Sequence, residues 1–545
     1  MVSPMALPLV TRIEAVATLA RRGVLRPERP DRLARTGIAL WRWGSTLAAA
    51  YVVAGQTAAS QLALVDDDGA LTYGELAGRT NALARGLTAL GVGEGDRVGI
   101  LARNGRGFIE PVIAVAKLGA DVLLLNTSFA HTELEAVLAR EQPAALLHDA
   151  EFEPLIERCT LPGGMTRVHT HVESRRGLTT AEELIAGGDR SPLKAPERES
   201  RTVILTSGTT GTPKGARLSQ PSGLEPLAWY LRMVPLSPRE RYHIAAPLFH
   251  AHGYGQFVIG AALGSTLVLT RTFDAERTLA LLERHEAEAA AVVPVMLKRI
   301  MDLPTGVRSR YRPRALEVVL ASGSALHADL AHKFMDEFGP VLYNLYGSTE
   351  VAWATIASPR DLLDAPGTVG RPPPHTRLAI LDDQGRPLPP GRTGRIFVGH
   401  EMLFEGYTDG RIRDLTAGMM TAGDVGHVDE EGRLFVDARE DDMIVSGGEN
   451  VYPGEVEAVL GAHPELEEVA VVGVADEQFG ERLVAFAVPR VGSTVTEDEV
   501  MRHAKENLAR YKVPREVRLR DDLPRNALGK VVKRKLKDAS PAADR

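Results

Sequence analysis

The sequence predicts an α/β protein: a large N-terminal domain of mixed and largely parallel sheets with helices, then a β-rich lobe and a small α+β C-terminal domain. The first observation behind this fold class is the alternation of short apolar strands with helical patterns from about residue 60, as in strand 97–101, helix 107–118 and strand 121–125. Such alternation is typical of crossover units and parallel strands. The same alternation recurs later, with strands predicted at residues 144–147, 203–205, 265–269 and 289–293 and a helix at 275–285.

The second observation is a change of pattern in the last third of the chain. Prolines cluster at residues 372–374 and 387–390, and turns separate short strands up to residue 438. Beyond it, the pattern predicts helix 453–460, strands 468–473 and 483–489, and helix 497–508. We therefore expect a helical extension at residues 1–55, a large domain at 56–438 that includes the β-rich lobe (about 370–438), and a small domain at 442–545.

Composition narrows the class of protein. The 545 residues are 44% hydrophobic and 25% charged, which is ordinary for a globular protein, and the net charge of −7 gives no overall attraction to nucleic acid. Cys159 is the only cysteine, which excludes an internal disulfide and a multi-cysteine metal site and fits a reducing cytoplasm. The last 45 residues carry 14 Lys and Arg against six Asp and Glu. A nucleic-acid surface usually combines basic residues with several aromatic side chains, and Tyr511 is the only aromatic residue in this segment. We therefore favour a basic lobe that closes over phosphates.

One apolar stretch raises the question of a membrane. Residues 37–55 contain Arg42, Ser45 and Thr46, which argue against a span. We expect a helix packed on the main body, with an interfacial helix anchored by Trp41 and Trp43, a weak peripheral membrane contact, as the alternative. No secretory signal is recognisable, and a cytoplasmic location is expected.

Residues 206–215 (TSGTTGTPKG) form the most informative motif. They follow the apolar strand 203–205, and their glycines let the backbone turn sharply while hydroxyls and one lysine supply donors and charge. The pattern predicts a polyphosphate cradle, with a flexible linker as the alternative. It is not a Walker A loop, because Pro213 precedes the lysine and no Gly-Lys-Ser/Thr closes it. The residues expected to hold phosphate are Thr206, Ser207, Gly208, Thr209, Thr210, Gly211 and Lys214.

Further motifs extend this prediction to a nucleotide and its metal. In residues 346–350 (YGSTE), Tyr346 can stack on a purine, Thr349 can hydrogen-bond a phosphate and Glu350 can hold Mg²⁺. Asp424 precedes a strand where a carboxylate can bind ribose hydroxyls, and Lys530 stands on a glycine-containing loop. Taken singly each is weak, since Asp and Lys on turns are usually solvated.

In this order and spacing the motifs resemble the adenylate-forming superfamily of acyl-CoA synthetases, luciferases and adenylation domains. Together with residues 446–450 (SGGEN) and 509–514 (ARYKVP), they look most like bacterial fatty-acyl-CoA synthetases. The resemblance runs from about residue 60 to 537. It implies use of ATP, Mg²⁺ and CoA, and a C-terminal domain that moves about a hinge at 439–441.

The resemblance also implies roles for individual residues. Lys530, Glu350 and Thr349 would be catalytic, with Glu350 and Thr206 at the metal and Asp441 as the hinge. ATP would be bound by the cradle and by seven further residues: Ser322, Gly323, Ser324, Tyr346, Gly347, Asp424 and Arg439. Gly447 and Gly448 would open a path for CoA. Two departures from the family, Ala438 before Arg439 and Glu440 after it, leave adenylation intact.

The acid pocket is less determined. Residues 247–254 (PLFHAHGY) hold His250 and His252, which suggest a metal pair or a general base, although no carboxylate stands at ligand spacing. The resemblance places His250 at the border of the acyl pocket, with packing as the competing interpretation, and leaves His252 without a role. Tyr254, Phe257 and Trp353 are the other expected pocket residues. They fit a medium or long acyl chain or an aryl acid.

The sequence therefore favours an ATP-dependent acyl-CoA synthetase acting on a fatty acid. The alternatives are an adenylate-forming enzyme with another substrate or acceptor, such as an aryl-acid ligase or a diazotase that adenylates nitrite for an arylamine. A non-catalytic binding protein on the same fold is a third alternative, opposed by the presence of Lys530, Glu350, Asp424 and Lys214. Small molecules are the expected partners, and the oligomeric state is open.

Overall fold

A computed structural model describes residues 9–26, 29–170, 177–206, 213–221, 223–440, 444–446, 449–451, 453–476, 480–509, 512–526 and 529–539. The chain divides into two compact units. The larger unit comprises Met1–Arg377 and Gly399–Asp414, and the smaller unit comprises Leu378–Val398 and Leu415–Arg545.

The helices of the described residues are, in chain order, α1 (Leu9–Arg21), α2 (Pro30–Trp43), α3 (Leu47–Thr57), α4 (Tyr73–Ala89), α5 (Arg106–Lys117), α6 (His131–Glu141), α7 (Glu153–Ile156), α8 (Ala181–Gly187), α9 (Glu225–Met233), α10 (Ala251–Leu263), α11 (Ala275–Arg284), α12 (Pro294–Asp302), α13 (Thr305–Arg308), α14 (Ala328–Phe338), α15 (Pro359–Asp364), α16 (Pro453–Gly461), α17 (Glu497–Asn507) and α18 (Lys533–Asp538). A 3₁₀ turn at Ala150–Phe152 precedes α7.

The strands are, in chain order, β1 (Leu62–Asp66), β2 (Gly69–Thr72), β3 (Arg97–Leu101), β4 (Asp121–Leu124), β5 (Ala145–His148), β6 (Thr166–His169), β7 (Thr202–Thr206), β8 (Lys214–Arg217), β9 (Arg241–Ile244), β10 (Thr266–Val268), β11 (Ala289–Val292), β12 (Val318–Ala321), β13 (Leu342–Ser348), β14 (Ala352–Ala357), β15 (Arg377–Leu381), β16 (Gly394–Gly399), β17 (Gly406–Tyr407), β18 (Leu415–Thr416), β19 (Met419–Val428), β20 (Leu434–Arg439), β21 (Ile444–Ser446), β22 (Glu449–Val451), β23 (Leu466–Asp476), β24 (Gly480–Pro489) and β25 (Glu516–Leu519).

Two sheets form the larger unit. The eight-stranded sheet has the order β14-β13-β12-β11-β9-β10-β1-β2, and only its two edge strands, β14 and β2, run antiparallel to their neighbours. The seven-stranded sheet has the order β17-β8-β7-β4-β3-β5-β6, with β3 to β7 parallel. Since parallel strands share the edge at which their carboxyl ends lie, each sheet presents one row of loops where ligands bind in such folds.

Helix α5 shows how the sequence builds the core between these sheets. Eleven of its residues, from Gly107 to Lys117, are buried. Most of them are apolar, and the two charged ones have polar partners, Glu110 with Arg79 and Lys117 with Thr80. Its core cluster joins Ile100 of one sheet and Ile244 of the other, so the two sheets share a single hydrophobic core.

The N-terminal extension differs from the single helix expected over residues 37–55. Gly44 ends α2 with φ +67, a left-handed conformation that favours glycine, and Thr46 caps α3 by accepting a hydrogen bond from the Ala49 amide at 3.2 Å. Trp43 is buried, whereas Trp41 is 83% exposed. Among the helices of the described residues, none combines the length and apolarity that crossing a bilayer requires.

The smaller unit contains two five-stranded sheets. One has the order β15-β16-β19-β18 with β20 beside β19, and the other has the order β22-β21-β24-β23 with β25 parallel to β24. The sequence assigned the β-rich lobe to the large domain, but most of it belongs to the smaller unit. A close approach explains this, because an added Cβ at Gly454 of α16 would lie 2.5 Å from the Asp437 carbonyl of β20. The lobe's first residues, up to Arg377, and Gly399–Asp414 belong to the larger unit. The second of these segments is held there because β17 pairs with β8.

Candidate active site

The predicted phosphate cradle connects two antiparallel strands. Thr206 ends β7, Lys214 begins β8, and the two residues are directly paired. The Thr206 hydroxyl donates to the Lys214 carbonyl at 3.4 Å, and Arg140 donates to the Pro213 carbonyl at 2.6 Å. Ser207, Gly208, Thr209, Thr210 and Gly211 lie outside the described residues. The two ends of the motif are thus placed at the carboxyl end of a parallel strand, where the sequence put the cradle.

The loops expected to contact adenine follow neighbouring strands of the eight-stranded sheet. Ser322, Gly323 and Ser324 directly follow β12, and Tyr346 and Gly347 lie in β13, which is parallel to β12. Gly323 has φ +95. At Gly347 an added Cβ would lie 1.8 Å from the Ala352 carbonyl, so no other residue fits where β13 meets β14. The structure brings these predicted residues to one edge.

Thr349 and Glu350 occupy the turn between β13 and β14. The Ser348 hydroxyl accepts hydrogen bonds from the Glu350 amide at 3.3 Å and the Val351 amide at 3.4 Å. From the segment after β16, His400 bonds through Nε2 to the Val351 carbonyl at 2.9 Å. Because burial lowers the pKa of His400 to about 4, this imidazole is neutral at physiological pH. The turn is fixed from both sides.

The Glu350 side chain is only 5% exposed and faces donors. The Tyr407 hydroxyl donates to its Oε1 at 2.7 Å, and Arg413 Nη2 lies 3.5 Å from the same oxygen. Burial, together with the charge of Glu350, raises the pKa of Tyr407 to about 12, which keeps the phenol protonated and donating. Lys214 Nζ lies 5.6 Å from the centre of the Tyr407 ring. Tyr407 therefore connects the acidic turn with the first residue of β8.

Sequence reasoning missed both Tyr407 and Arg413. Strand β17 has only two residues, and it reaches β8 through long-range pairing of Tyr407 with Ala216. Thr408 extends this contact, since its amide donates to the Gly215 carbonyl at 2.8 Å. A Gly-Tyr pair in a turn-rich segment carries no local signal of such a role.

The two histidines of residues 247–254 are buried and neutral. Burial lowers the pKa of each to about 4. His252 Nε2 lies 3.1 Å from the Val292 carbonyl and 3.3 Å from the Leu320 carbonyl, so this residue ties α10 to the ends of β11 and β12. His250 immediately precedes α10, with its ring 4.4 Å from that of Phe249. His252, which the sequence left without a role, thus has a structural contact with both strands.

The other expected pocket residues differ in their surroundings. Trp353 lies on β14 with its ring 5.2 Å from that of Tyr230, and the Tyr254 hydroxyl lies 2.7 Å from Thr202 Oγ1. Phe257 has no exposed surface and packs between Tyr51, at 6.1 Å, and Tyr254, at 6.0 Å. Phe257 thus packs in the core against Tyr51 of α3, and its expected place in the pocket lining stays a prediction.

In the smaller unit, the expected ribose-binding residues face each other across a strand pair. Asp424 of β19 is paired with Arg439 of β20, and Arg439 Nε lies 3.7 Å from Asp424 Oδ1. Lys530 is exposed on a turn closed by Asn526, whose Oδ1 accepts from the Lys530 amide at 3.0 Å. Asp441, Gly447 and Gly448 lie outside the described residues.

Comparison with known proteins identifies the family of this chain. A profile of the AMP-binding enzyme family matches residues 52–408, and a profile of the AMP-binding enzyme C-terminal domain matches residues 455–530. The chain belongs to the AMP-binding enzyme family. This confirms the resemblance to adenylate-forming enzymes and the predicted α/β fold class.

Individual members of the family show how far the similarity extends. Indoleacetate–CoA ligase from Aromatoleum aromaticum is 35% identical, over 85% of this chain and 92% of the relative. Feruloyl-CoA synthase from an Amycolatopsis species is 34% identical, over 85% of this chain and 93% of the relative. The structure of o-succinylbenzoate CoA synthetase from Bacillus subtilis, in complex with its acyl-adenylate intermediate, has a TM-score of 0.78 at 28% identity, covering 91% of this chain and 99% of that one.

Proposed function

We propose that the protein is an ATP-dependent, AMP-forming CoA ligase that activates an aromatic carboxylic acid. The observation that carries this proposal is the buried Glu350 carboxylate, held by Tyr407 and Arg413 beside the loops that follow β12 and β13. A buried carboxylate facing a protonated phenol and a guanidinium is a fixed negative group in an otherwise cationic corner. Such a group suits a site that binds a metal–polyphosphate complex.

The chemistry follows from the poor reactivity of a carboxylate. In the first step a carboxylate oxygen attacks the α-phosphorus of ATP, the bond to pyrophosphate breaks, and an acyl-adenylate forms. In the second step the CoA sulfur attacks the acyl carbon, the bond to AMP breaks, and the thiol proton is released. Because two anions meet in the first step, positive charge has to lie at the reacting phosphate.

The residues of this chain divide that work. Thr206 and Lys214, with the motif between them, bind the β- and γ-phosphates, and Thr349 contacts the α-phosphate. The carboxylate of Glu350 and the hydroxyl of Thr206 are hard oxygen donors of the kind Mg²⁺ prefers. When bound, the ion neutralises phosphate charge.

The remaining roles concern the nucleoside and the moving domain. Ser322, Gly323, Ser324, Tyr346 and Gly347 line the adenine, while Asp424 and Arg439 take the ribose hydroxyls. Lys530 compensates charge in the first step. Asp441 is the hinge about which the C-terminal domain at residues 442–545 turns, and Gly447 and Gly448 open the CoA path in the second step.

We choose an aromatic acid over the fatty acid that the sequence favoured, because the comparisons leave a fatty-acid substrate unconfirmed. The relatives named above are ligases or synthetases of indoleacetate, ferulate and o-succinylbenzoate, all of which carry an aromatic ring. Trp353 supports this, because its half-buried ring is available to pack against an aromatic acid. His250 and Tyr254 complete the proposed pocket. Because His250 is neutral, it adds no charge beside the acid ring.

A substrate panel tests the proposal. The protein is incubated with ATP, Mg²⁺ and CoA and with one of a series of arylacetic, cinnamic, benzoic and straight-chain acids, and AMP and thioester are quantified. We expect kcat/KM to be highest for an aromatic acid and AMP to form in equal amount with thioester. Highest activity with a straight-chain acid would contradict the substrate class, and release of ADP would contradict the reaction. Activity only with nitrite and an arylamine would instead establish the diazotase.

A further inference from the structure

A second group of polar side chains lies at the far side of the seven-stranded sheet. His148 ends β5, His169 ends β6, and the two residues are directly paired in the parallel register. Glu153 opens the short helix α7 between them. In the sheet order, β5 and β6 are separated from β7 and its cradle by β4 and β3. The proposed acid-activation site therefore leaves this cluster unexplained.

The three side chains converge on one carboxylate oxygen. His169 Nε2 lies 3.3 Å from Glu153 Oε2, and His148 Nε2 lies 3.5 Å from the same oxygen. The two imidazole rings are 4.8 Å apart and perpendicular. Both histidine side chains are 0% exposed and that of Glu153 is 8% exposed. These polar groups are therefore shielded from bulk water and depend on partners inside the protein.

The hydrogen bonds of His148 identify which nitrogen carries its proton. Nδ1 lies 3.2 Å from the Asp149 carbonyl, which can only accept, so Nδ1 is the protonated nitrogen. The Nε2 lone pair then faces the carboxylate. Among the described residues no hydrogen-bond partner reaches His148 Nε2 or His169 Nδ1. Two acceptors facing each other in a dry interior are unfavourable unless a cation lies between them.

We propose that His148, Glu153 and His169 bind one divalent transition-metal ion of the zinc type. Two imidazoles and one carboxylate are ligands that Zn²⁺ takes, with bonds of about 2.0–2.2 Å. Tetrahedral bonds of that length place ligand atoms about 3.3–3.5 Å apart. The two separations from Glu153 Oε2 match this spacing, and all three ligand atoms lie within 4.8 Å of one another.

The surrounding contacts are those of a supported metal site. The Asp149 carbonyl orients His148 through Nδ1, and Arg167 Nη1 holds the other Glu153 oxygen, Oε1, at 2.9 Å. Such outer contacts fix the tautomer and the orientation of metal ligands. Three protein ligands leave a fourth position for water. Because the site is buried and joins β5, β6 and α7, its role is to stabilise this edge of the sheet.

The test uses the full-length protein, freed of metal with a chelator and titrated with Zn²⁺ alone. We expect one ion per chain by elemental analysis, a higher Tm with Zn²⁺, and visible ligand-field absorption when Co²⁺ replaces it. Glu153→Gln and His148→Gln each remove one ligand. Since loss of even an outer contact weakens metal binding by about 10–100-fold, we expect each variant to lose at least about 100-fold in affinity.

His243→Gln is the matched control. His243 is equally buried, its Nδ1 lies 2.9 Å from the Val268 carbonyl, and no hydrogen-bond partner among the described residues reaches its Nε2, but it is not a member of the three-ligand cluster. This variant should bind Zn²⁺ as the parent does. Circular dichroism of each metal-free variant separates lost binding from lost folding. No bound Zn²⁺ in the parent, or unchanged affinity in folded Glu153→Gln and His148→Gln, would overturn the proposal. An ion held at Glu350 would survive both substitutions and so count against it.

Discussion

Glu350 and Lys530 are both expected to handle charge in the same reaction, yet the protein holds them in opposite ways. Glu350 is buried, and Tyr407 and Arg413 contact its carboxylate from a distant part of the sequence. Lys530 is exposed, and its turn is closed locally, with the Asn526 amide donating to the Lys530 carbonyl at 2.9 Å and the Lys530 amide donating back to Asn526 Oδ1. One group is fixed by tertiary structure and the other by a few neighbouring residues.

This difference matches the two steps of the proposed reaction. A group required whenever nucleotide is bound gains from being preorganised, because its orientation costs nothing at the transition state. A group required only in the first step is better placed on a domain that can move away before the second step. The comparison makes four predictions, from the largest expected effect to the smallest.

Lys530→Ala should abolish most adenylation while the fold stays intact. Removing one preorganised charge contact at a transition state costs about 10²–10³ in rate. Pyrophosphate release in a single turnover should fall by that factor, and thioester formation from preformed acyl-adenylate should be nearly unchanged. Lys537→Ala, which removes an exposed lysine from α18, is the control. Equal loss in both steps would mean that Lys530 does not act as a first-step residue.

Trp353→Ala tests the fixed side of the comparison at the acid pocket. This substitution removes the half-buried ring that we propose to pack against the acid. A mismatch of one methylene in an apolar pocket is worth about 1–3 kcal/mol, or 10–200-fold. We expect kcat/KM for aromatic acids to fall within that range and bulkier acids to be favoured, while KM for ATP is unchanged. An unaltered acid profile would place the pocket elsewhere.

Tyr407→Phe should weaken the site without dismantling it. A hydrogen bond to a charged group contributes about 1.5–3 kcal/mol, so adenylation should slow by roughly tenfold or more. The Mg²⁺ concentration needed for half-maximal activity should rise, because the Glu350 carboxylate loses its fixed orientation. Tyr311→Phe is the matched control, since its hydroxyl donates to Glu276 at 2.9 Å away from the site. If both variants behave alike, Tyr407 does not position Glu350.

His243→Gln should have the smallest effect and no effect on activity at neutral pH. Burial lowers the pKa of His243 to about 4, whereas an unfolded histidine titrates near about 6.5. The folded state therefore loses stability as pH falls from about 6.5 toward 4, by roughly 1–2 kcal/mol at about pH 5. The variant should lose correspondingly less stability between neutral and mildly acidic pH.

Tryptophan fluorescence is a suitable probe for this measurement. All four tryptophans, Trp41, Trp43, Trp229 and Trp353, belong to the larger unit, as His243 does. Urea unfolding at each pH compares parent and variant. An identical loss of stability in both proteins would show that His243 is protonated in the folded state.

Much of the larger unit is predictable because its signals are local. The apolar run at 97–101 is strand β3, and the helical pattern at 107–118 corresponds to α5 within one residue at each end. Residues 346–350 were recognisable for the same reason, whereas residues 322–324 after β12 were placed only by the resemblance to adenylate-forming enzymes. A motif confined to ten residues can be recognised without knowing what packs on it.

The remainder depends on contacts between distant residues. Strand β17 exists only because it pairs with β8, so Tyr407 could not be connected with Glu350 from sequence. The cluster of His148, Glu153 and His169 depends on β5 and β6 being neighbours. The break at Gly44 did carry a local signal, a glycine followed by the capping residue Thr46, which the expectation of one helix over residues 37–55 overlooked. The division of the β-rich lobe depends on packing against α16.

The return of Gly399–Asp414 to the larger unit also governs how the gene can be cut. The chain passes between the two compact units three times, at residues 377, 398 and 414. A fragment ending at 377 would lack Tyr407 and Arg413, and one ending at 414 would carry β15 and β16 without their partner β19. Neither unit can therefore be expressed as one uninterrupted segment, and a swap of C-terminal domains between relatives would have to preserve the inserted stretch.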